Sequence, residues 1–205
     1  MSALVTGARG GIGAAFCSLL RERGPLIELD LPDFDVRSAE AWAGLQAPPL
    51  DVVVHCAGVS HAGRLDALDP EALRDTVEVN LLGPMLGAQA LVMNPGARVV
   101  FVGSMLGGHG VPGGAAYSAS KAGLRAFAEA FQLENPELEV VHLQPGVVET
   151  PMAGDLPGPR LDPMEVARAG LDAKGLHVPI GGDAKAFLWL ARWLPALLRR
   201  RLKTD

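Results

Sequence analysis

The chain has 205 residues, of which 49% are apolar, and its formal net charge is −5 at pH 7. This length and composition suit one domain with a sizeable core. The mild acidity gives no reason to expect nucleic acid, and no apolar run reaches the roughly 18 residues that cross a bilayer. Cys17 and Cys56 lie in apolar runs without metal-type spacing, so we expect reduced thiols, no metal site and a cytoplasmic protein.

Short apolar runs alternate with longer helical patterns along the chain. The predicted strands are Ala3–Thr6, Leu26–Leu31, Val52–Cys56, Arg98–Val102 and Glu139–Leu143. The predicted helices are Ile12–Arg23, Ser38–Leu45, Pro70–Val92, Tyr117–Glu134, Pro163–Ala173 and Asp183–Arg200. Near-continuous apolar strands predict a sheet covered by helices on both faces. We therefore expect an α/β fold, a Rossmann-type doubly wound and mostly parallel sheet, with its ligand at the carboxyl ends of the strands. Residues 1–205 form one domain in this prediction, and 183–205 form a C-terminal amphipathic helical tail.

A glycine-rich turn follows the first predicted strand and opens the first helix. Gly7, Gly11 and Gly13 allow a tight turn and a close backbone approach to a pyrophosphate. The helix N-terminus, starting near Ile12, adds N–H donors and the positive end of a dipole. This strand–turn–helix context predicts a dinucleotide site.

Asp30 ends the second predicted strand, about twenty residues beyond the glycines. A carboxylate there accepts hydrogen bonds from both adenosine ribose hydroxyls and repels a 2′-phosphate, which favours NAD over NADP. Arg9, in the turn, leaves NADP open because a guanidinium stacks on adenine or meets a phosphate equally well.

Tyr117 and Lys121 lie four residues apart at the start of a predicted helix, on one of its faces. An ammonium near a phenol favours the phenolate, so we expect Lys121 to lower the pKa of Tyr117. A tyrosine tuned in this way exchanges a proton near neutral pH. Ser104 stands at the end of a predicted strand shortly before this pair.

Together these motifs resemble the short-chain dehydrogenase/reductase family, in a shortened form. The segments that match are Thr6-Gly7-x-x-x-Gly11-x-Gly13, Asn80, Ser104, Tyr117-x-x-x-Lys121 and Pro145–Met152. The resemblance implies a catalytic set of Asn80, Ser104, Tyr117 and Lys121. It implies cofactor contacts at Gly7, Arg9, Gly11, Ile12, Gly13, Asp30, Asp35, Val36, Ala57, Gly58, Tyr117, Lys121, Pro145, Gly146, Val148 and Thr150.

The resemblance also implies the role of each catalytic group. Tyr117 would transfer the proton, and Ser104 would hydrogen-bond the substrate oxygen. Lys121 would bind the nicotinamide ribose, with Asn80 positioning a water that links it to solvent. Thr150 would orient the carboxamide.

Two departures from the family pattern stand out. His55-Cys56-Ala57-Gly58 replaces Asn-Asn-Ala-Gly, and we expect His55 to be a buried, hydrogen-bonded histidine. The segment after the second strand is short, so a helix and an edge strand of the family should be lost or reduced. Asp35 and Val36 would remain near the adenine.

The expected reaction is hydride transfer between a nicotinamide cofactor, NAD in preference to NADP, and a carbonyl or secondary alcohol. The alternative is a catalytically silent dinucleotide sensor on the same fold. The partner is expected to be a small molecule, with a lipophilic one as a guess, and a homodimer or homotetramer is expected from the resemblance. His61 and His109 are expected to be solvent-facing loop residues. For the tail, packing on the domain or on a second subunit is favoured, and lining an apolar pocket or lying on an anionic membrane surface are the alternatives.

Overall fold

The computed structural model describes residues 1–156 and 158–202. Its sheet has six parallel strands in the order β2-β1-β3-β4-β5-β6. The strands are β1 (Ala3–Thr6), β2 (Leu26–Leu29), β3 (Leu50–His55), β4 (Met93–Val102), β5 (Glu139–Pro145) and β6 (His177–Ile180). The helices are α1 (Gly11–Arg21), α2 (Ala39–Gly44), α3 (Pro70–Val77), α4 (Gly83–Ala90), α5 (Ala115–Glu134), α6 (Pro163–Asp172), α7 (Gly182–Trp193) and α8 (Pro195–Leu202). The predicted fold class is confirmed.

Most differences from the sequence predictions lie at the ends of elements. Strand β6 was not predicted, and β2 stops at Leu29 so that Asp30 lies just beyond it. A π-helical turn, Glu78–Leu82, joins α3 to α4 within the region predicted as one helix. The predicted last helix breaks before Pro195, because proline has no N–H to donate to the preceding turn. Pro157 of the predicted Gly154–Pro159 loop and residues 203–205 of the tail lie outside the described residues.

Several helices begin where the local sequence supplies a cap. The side chains of Ser38, Asp69 and Asp162 accept hydrogen bonds from backbone N–H groups in the first turns of α2, α3 and α6. Pro70 and Pro163 occupy first helical positions, where a missing N–H costs nothing. Helix α1 differs, because it starts at glycine and has no side-chain cap among the described residues.

Two apolar layers hold the sheet between helices. On one face, Phe16 and Leu20 of α1 pack with Val166 of α6. On the other, Trp42 of α2 and Leu124 of α5 pack against the central strands. All five side chains are almost completely buried, and the removal of this apolar surface from water is the main stabilising contribution.

The short segment after β2 packs as a loop, so that β2 is the edge strand. The Trp42 indole N–H donates to the Val36 carbonyl at 2.9 Å, and the Phe34 ring meets Trp42 edge-on, with centroids 4.7 Å apart. A Cβ placed on Gly83 would lie 3.0 Å from the Val36 side chain, so α4 also closes on this loop. These contacts bury apolar surface that a further strand would otherwise cover.

The tail is partly packed and partly exposed. Leu188 of α7 lies against Gly108, and Leu198 of α8 is buried. Trp189 and Trp193 are exposed. Within the described residues, no helix combines the length and the apolar character that crossing a bilayer requires.

His55 lies inside the core without the hydrogen bonds expected of it. Its ring stacks on Phe101, with centroids 5.0 Å apart, and approaches Trp42 at 6.4 Å. Neither ring nitrogen has a partner among the described residues, so the prediction of a hydrogen-bonded histidine is wrong. Burial lowers the pKa of His55 to about 3, since the packed aromatic rings offer nothing that stabilises an imidazolium.

This burial predicts a specific acid sensitivity. In the unfolded chain His55 is protonated below about pH 6.5, whereas in the folded chain it stays neutral down to about pH 3. Protonation therefore favours the unfolded chain, and the free energy of unfolding decreases as the pH falls through this range. Between pH 7 and pH 5, His55→Leu should lose about 2 kcal/mol less free energy of unfolding than the wild type in urea titrations. Burial also lowers the pKa of His142 to about 3. His142 is present in both proteins, so its contribution cancels in the comparison. An equal acid loss in both proteins would contradict the account.

Candidate active site

A cavity of about 450 Å³ opens at the carboxyl ends of the first three strands of the chain. We call it the glycine cleft. Ten of the predicted cofactor contacts from the first part of the chain line it, together with Thr150: Gly7, Arg9, Gly11, Ile12, Gly13, Asp30, Asp35, Val36, Ala57 and Gly58. Other residues that were not among the predicted contacts also line it, and Phe34, Arg37, Asp75 and Met152 are among them.

The glycine turn has the geometry of a phosphate cradle. Gly7 has a φ of +66°, which side chains rarely tolerate. A Cβ on Gly13 would lie 1.9 Å from the Gly7 carbonyl oxygen, so only glycine lets α1 start this close to β1. The Thr6 hydroxyl accepts hydrogen bonds from the N–H groups of Cys56 and Ala57, at 3.1 and 3.2 Å, and fixes the end of β1 beside that of β3. The N–H groups at the start of α1, which no side chain caps, are therefore presented at the cleft, an arrangement that favours negatively charged groups.

Carboxylates dominate the far end of the glycine cleft. Asp30 accepts the backbone N–H of Arg9 at 2.6 Å and that of Leu31 at 2.8 Å. The Arg9 guanidinium bonds the Leu31 carbonyl and forms an ion pair with Asp33. Arg9 is thus folded back on the loop after β2, and its charge is paired.

The second guanidinium at this end is paired as well. Arg37 binds Asp35 through a forked contact at 2.7 to 3.1 Å and reaches Asp75 at 2.9 Å. Arg37 holds the pKa of Asp35 below its ordinary value. His61, which we expected to be a solvent-facing loop residue, is 40% exposed and bonds the other oxygen of Asp75 at 2.8 Å. This network spans the cleft from the loop after β2 to α3.

A second cavity, of about 290 Å³, lies next to the first and is here called the apolar pocket. The two share Ile12, Cys56, Gly58, Thr150 and Met152 as lining residues, so they form one continuous cleft. Much of the wall is apolar and was not foreseen: Met105, Leu106, Val111, Pro112 and Leu156. Predicted cofactor contacts Pro145, Gly146 and Val148 line the same pocket.

Ser104, Tyr117 and Lys121 converge on the apolar pocket. Ser104 follows β4 and accepts the Leu106 N–H at 3.1 Å, which fixes its hydroxyl at the start of a 3₁₀ turn. Tyr117 and Lys121 stand one turn apart on α5. The Lys121 ammonium donates to the Val102 carbonyl at 2.9 Å and lies 5.7 Å from the centre of the Tyr117 ring.

The pKa of Tyr117 does not move in the direction that the sequence predicted. Burial raises it above its ordinary value of 10.0, and a hydrogen bond with Ser104 only partly opposes this. Burial also lowers the pKa of Lys121 to about 8. The expectation fails because burial disfavours the charged forms of both side chains, the phenolate of Tyr117 and the ammonium of Lys121.

Asn80 lies behind the pocket and does not line it. Its amide accepts the Val59 N–H and donates to the Val59 carbonyl, both at 2.9 Å, and donates to Ser120 at 3.2 Å. A Cβ on Gly58 would stand 3.2 Å from Asn80 and 3.7 Å from the Lys121 ammonium. Asn80 therefore holds the loop after β3 against the helix that bears Tyr117 and Lys121.

The comparisons with known proteins agree with this geometry. A family model described as short chain dehydrogenase matches residues 26–159. The chain belongs to the short-chain dehydrogenase family. Among its relatives, a putative ketoacyl reductase from Streptomyces coelicolor is 32% identical over an alignment that covers 87% of this chain and 83% of that protein. The family places this short-chain dehydrogenase among the oxidoreductases.

Solved structures of the family match the fold closely. A short chain dehydrogenase from Burkholderia cenocepacia in complex with NADP superposes with a TM-score of 0.88 and 26% identity, covering 100% of this chain and 98% of that one. An alcohol dehydrogenase from Thermococcus sibiricus complexed with 5-hydroxy-NADP gives 0.75 and 26%, over 87% of this chain and 95% of that one. The shortened segment after β2 thus leaves the family fold intact.

Because the Lys121 ammonium is buried, we expect Lys121 to lower the free energy of unfolding of the protein. Its pKa is about 8 in the folded chain and 10.5 ordinarily, so the unfolded chain binds the extra proton and stability rises with pH between these values. At pH 7, Lys121→Met should raise the free energy of unfolding by about 3 kcal/mol, and this gain should shrink by about 1 kcal/mol at pH 9. Denaturant titrations at both pH values measure it. A variant no more stable than the wild type at pH 7, with the same difference at pH 9, would refute the burial argument.

Proposed function

We propose that the protein catalyses reversible hydride transfer between a nicotinamide dinucleotide and a carbonyl or secondary alcohol, with Tyr117 as the general acid and base. The observation that carries this proposal is the convergence of Ser104, Tyr117 and Lys121 on an apolar pocket that opens into the glycine cleft. A dinucleotide lying along the glycine cleft would reach the pocket at the wall shared by the two cavities.

The catalytic groups would stabilise the negative charge that develops on a carbonyl oxygen during hydride transfer. The bound cofactor would supply the hydride. The Ser104 hydroxyl would donate a hydrogen bond to the oxygen as its negative charge grows. Tyr117, which carries its proton at pH 7, would deliver that proton to the oxygen. The apolar walls exclude water from this exchange, which strengthens both interactions.

Other residues would hold the cofactor. The N–H groups at the start of α1 would bind the pyrophosphate, and Asp30 would bind the adenosine ribose. Lys121, a cation below about pH 8, would bind the nicotinamide ribose while Asn80 fixes its surroundings and positions the water expected there. Thr150, on the wall between the two cavities, would orient the carboxamide, next to Pro145, Gly146 and Val148.

We favour NAD over NADP from the charges at the adenosine end. Four carboxylates line or border it, those of Asp30, Asp33, Asp35 and Asp75, and both nearby guanidiniums are already paired. A 2′-phosphate would meet uncompensated negative charge there. The two solved relatives described above are in complex with NADP or a derivative of it, so a preference for NAD would distinguish this chain from them.

The pocket favours an uncharged substrate with an apolar body. Lys121 supplies its only basic side chain among the described residues, and no carboxylate lines it. The relative from Streptomyces coelicolor is named as a ketoacyl reductase, which agrees with a carbonyl compound. No observation favours the catalytically silent sensor, because a sensor needs no proton donor in such a pocket.

Removal of the Tyr117 hydroxyl should greatly slow turnover and spare cofactor binding. A panel of carbonyls and alcohols with both cofactors identifies a substrate, and kcat/KM for Tyr117→Phe should then fall by about a hundredfold to ten-thousandfold. The matched control is Ser118→Ala, which removes a buried hydroxyl one residue away that has no partner among the described residues. Turnover of Tyr117→Phe at the wild-type rate would end the catalytic proposal.

Asp30→Ala should weaken the preference for NAD. The change removes a negative charge from the site of a 2′-phosphate, so the ratio of kcat/KM for NAD to that for NADP should fall by about tenfold. Asp66→Ala, an exposed carboxylate that lines neither cavity, controls for net charge. An unchanged ratio would remove Asp30 from cofactor selection.

A further inference from the structure

The C-terminal helix pair presents an exposed apolar surface. Trp189 and Trp193, one turn apart on α7, are 56% and 62% exposed, and Leu194 and Leu197 are 42% and 41% exposed. We call these four residues the tail face. The expectation that the tail packs on its own domain holds for Leu188 and Leu198, on other sides of the same helices, and not for the tail face.

Arginines surround the tail face. Arg192 lies 5.3 Å above the Trp193 ring, and Arg199, Arg200 and Arg201 follow on α8, all exposed. Within the described part of the chain, none of the four forms an ion pair. The segment is therefore strongly basic in a chain whose net charge is −5.

This charge pattern argues against a second copy as the occupant. Two copies meeting symmetrically through the tail face would bring their arginine clusters together, and like charges oppose such contacts. An anionic lipid surface complements the tail face and its arginines. Its acyl chains would bury the indoles and leucines, and its negative headgroups would attract the guanidiniums. Tryptophan is also well suited to the boundary between headgroups and acyl chains.

We propose that the C-terminal helix pair docks the protein on anionic bilayers through the tail face. Leu188 of the same helix packs against Gly108, which follows the 3₁₀ turn that lines the apolar pocket. The docked helix would thus lie beside the pocket wall. An apolar substrate would have a short path from the membrane, but the docking itself depends on no catalytic assumption.

Tryptophan fluorescence tests this directly. The chain has three tryptophans, and Trp42 is buried, so changes on binding come from Trp189 and Trp193. Vesicles of phosphatidylcholine with phosphatidylglycerol should shift the emission to shorter wavelength and pull the protein down on sedimentation. Pure phosphatidylcholine vesicles should bind much less, and raised salt should release the protein.

Two sets of variants separate the apolar and charged contributions. The double change Trp189→Gln with Trp193→Gln should weaken sedimentation with anionic vesicles by about tenfold or more without changing the charge. The triple change of Arg199, Arg200 and Arg201 to Gln should weaken it by about a hundredfold, at about fivefold for each arginine. The matched controls are Leu133→Gln, at an apolar side chain on α5 that is 83% exposed, and the triple change of Arg23, Arg64 and Arg74 to Gln, which removes the same charge elsewhere.

The outcomes are distinct. Loss of binding in both tail sets, with both controls retaining it, supports the proposal. The proposal is overturned if the wild-type protein does not sediment with anionic vesicles, or if the tail variants sediment with them as strongly as the wild type does. If gel filtration shows an oligomer that the tryptophan variants dissociate, while vesicles are not bound, the tail face is a subunit interface and the proposal is wrong.

Discussion

The site depends on the close contact between the start of helix α1 and the end of strand β1. Gly13 approaches the Gly7 carbonyl so closely that a Cβ would lie 1.9 Å from its oxygen. Because α1 starts there, its uncapped N–H groups open onto the cleft. The Thr6 hydroxyl extends the arrangement by binding two amides at the end of β3. A helix that started further from β1 would move these N–H groups away from the glycine turn.

The shortened segment after β2 shows how the family fold tolerates a deletion. Phe34 and Trp42 pack edge to face, and the Val36 carbonyl accepts a hydrogen bond from the indole N–H, so the short segment is fixed to the apolar layer on one face of the sheet. The same loop carries Asp35 and Arg37, whose ion pairs reach α3. A loop thus does two tasks that are often divided between a strand and its connections: it covers the core and it forms the adenosine end of the cleft. Its charge pattern sets the cofactor preference that we propose.

Features encoded in short stretches of sequence were predictable, and features set by tertiary packing were not. The glycine turn and the Tyr117–Lys121 pair each follow from local spacing, as does the strand–helix alternation. Strand β6 was not predicted because it has only four residues and contains a proline, which is unfavourable within a strand. The direction in which Lys121 points depends on the Val102 carbonyl from another element. The lack of partners for His55 likewise depends on packed rings that no local pattern reveals.

Binding of the cofactor to the glycine cleft is the claim on which the others rest, and Gly13→Ala tests it most directly. Wild-type protein should bind NADH in a fluorescence titration, and Gly13→Ala should bind about a hundredfold more weakly, because the added methyl displaces the start of α1 by about an ångström. Gly44→Ala, where a Cβ meets nothing within 4 Å, should bind as the wild type does, and circular dichroism should show that both variants are folded. Equal NADH affinity in Gly13→Ala and the wild type would contradict the account.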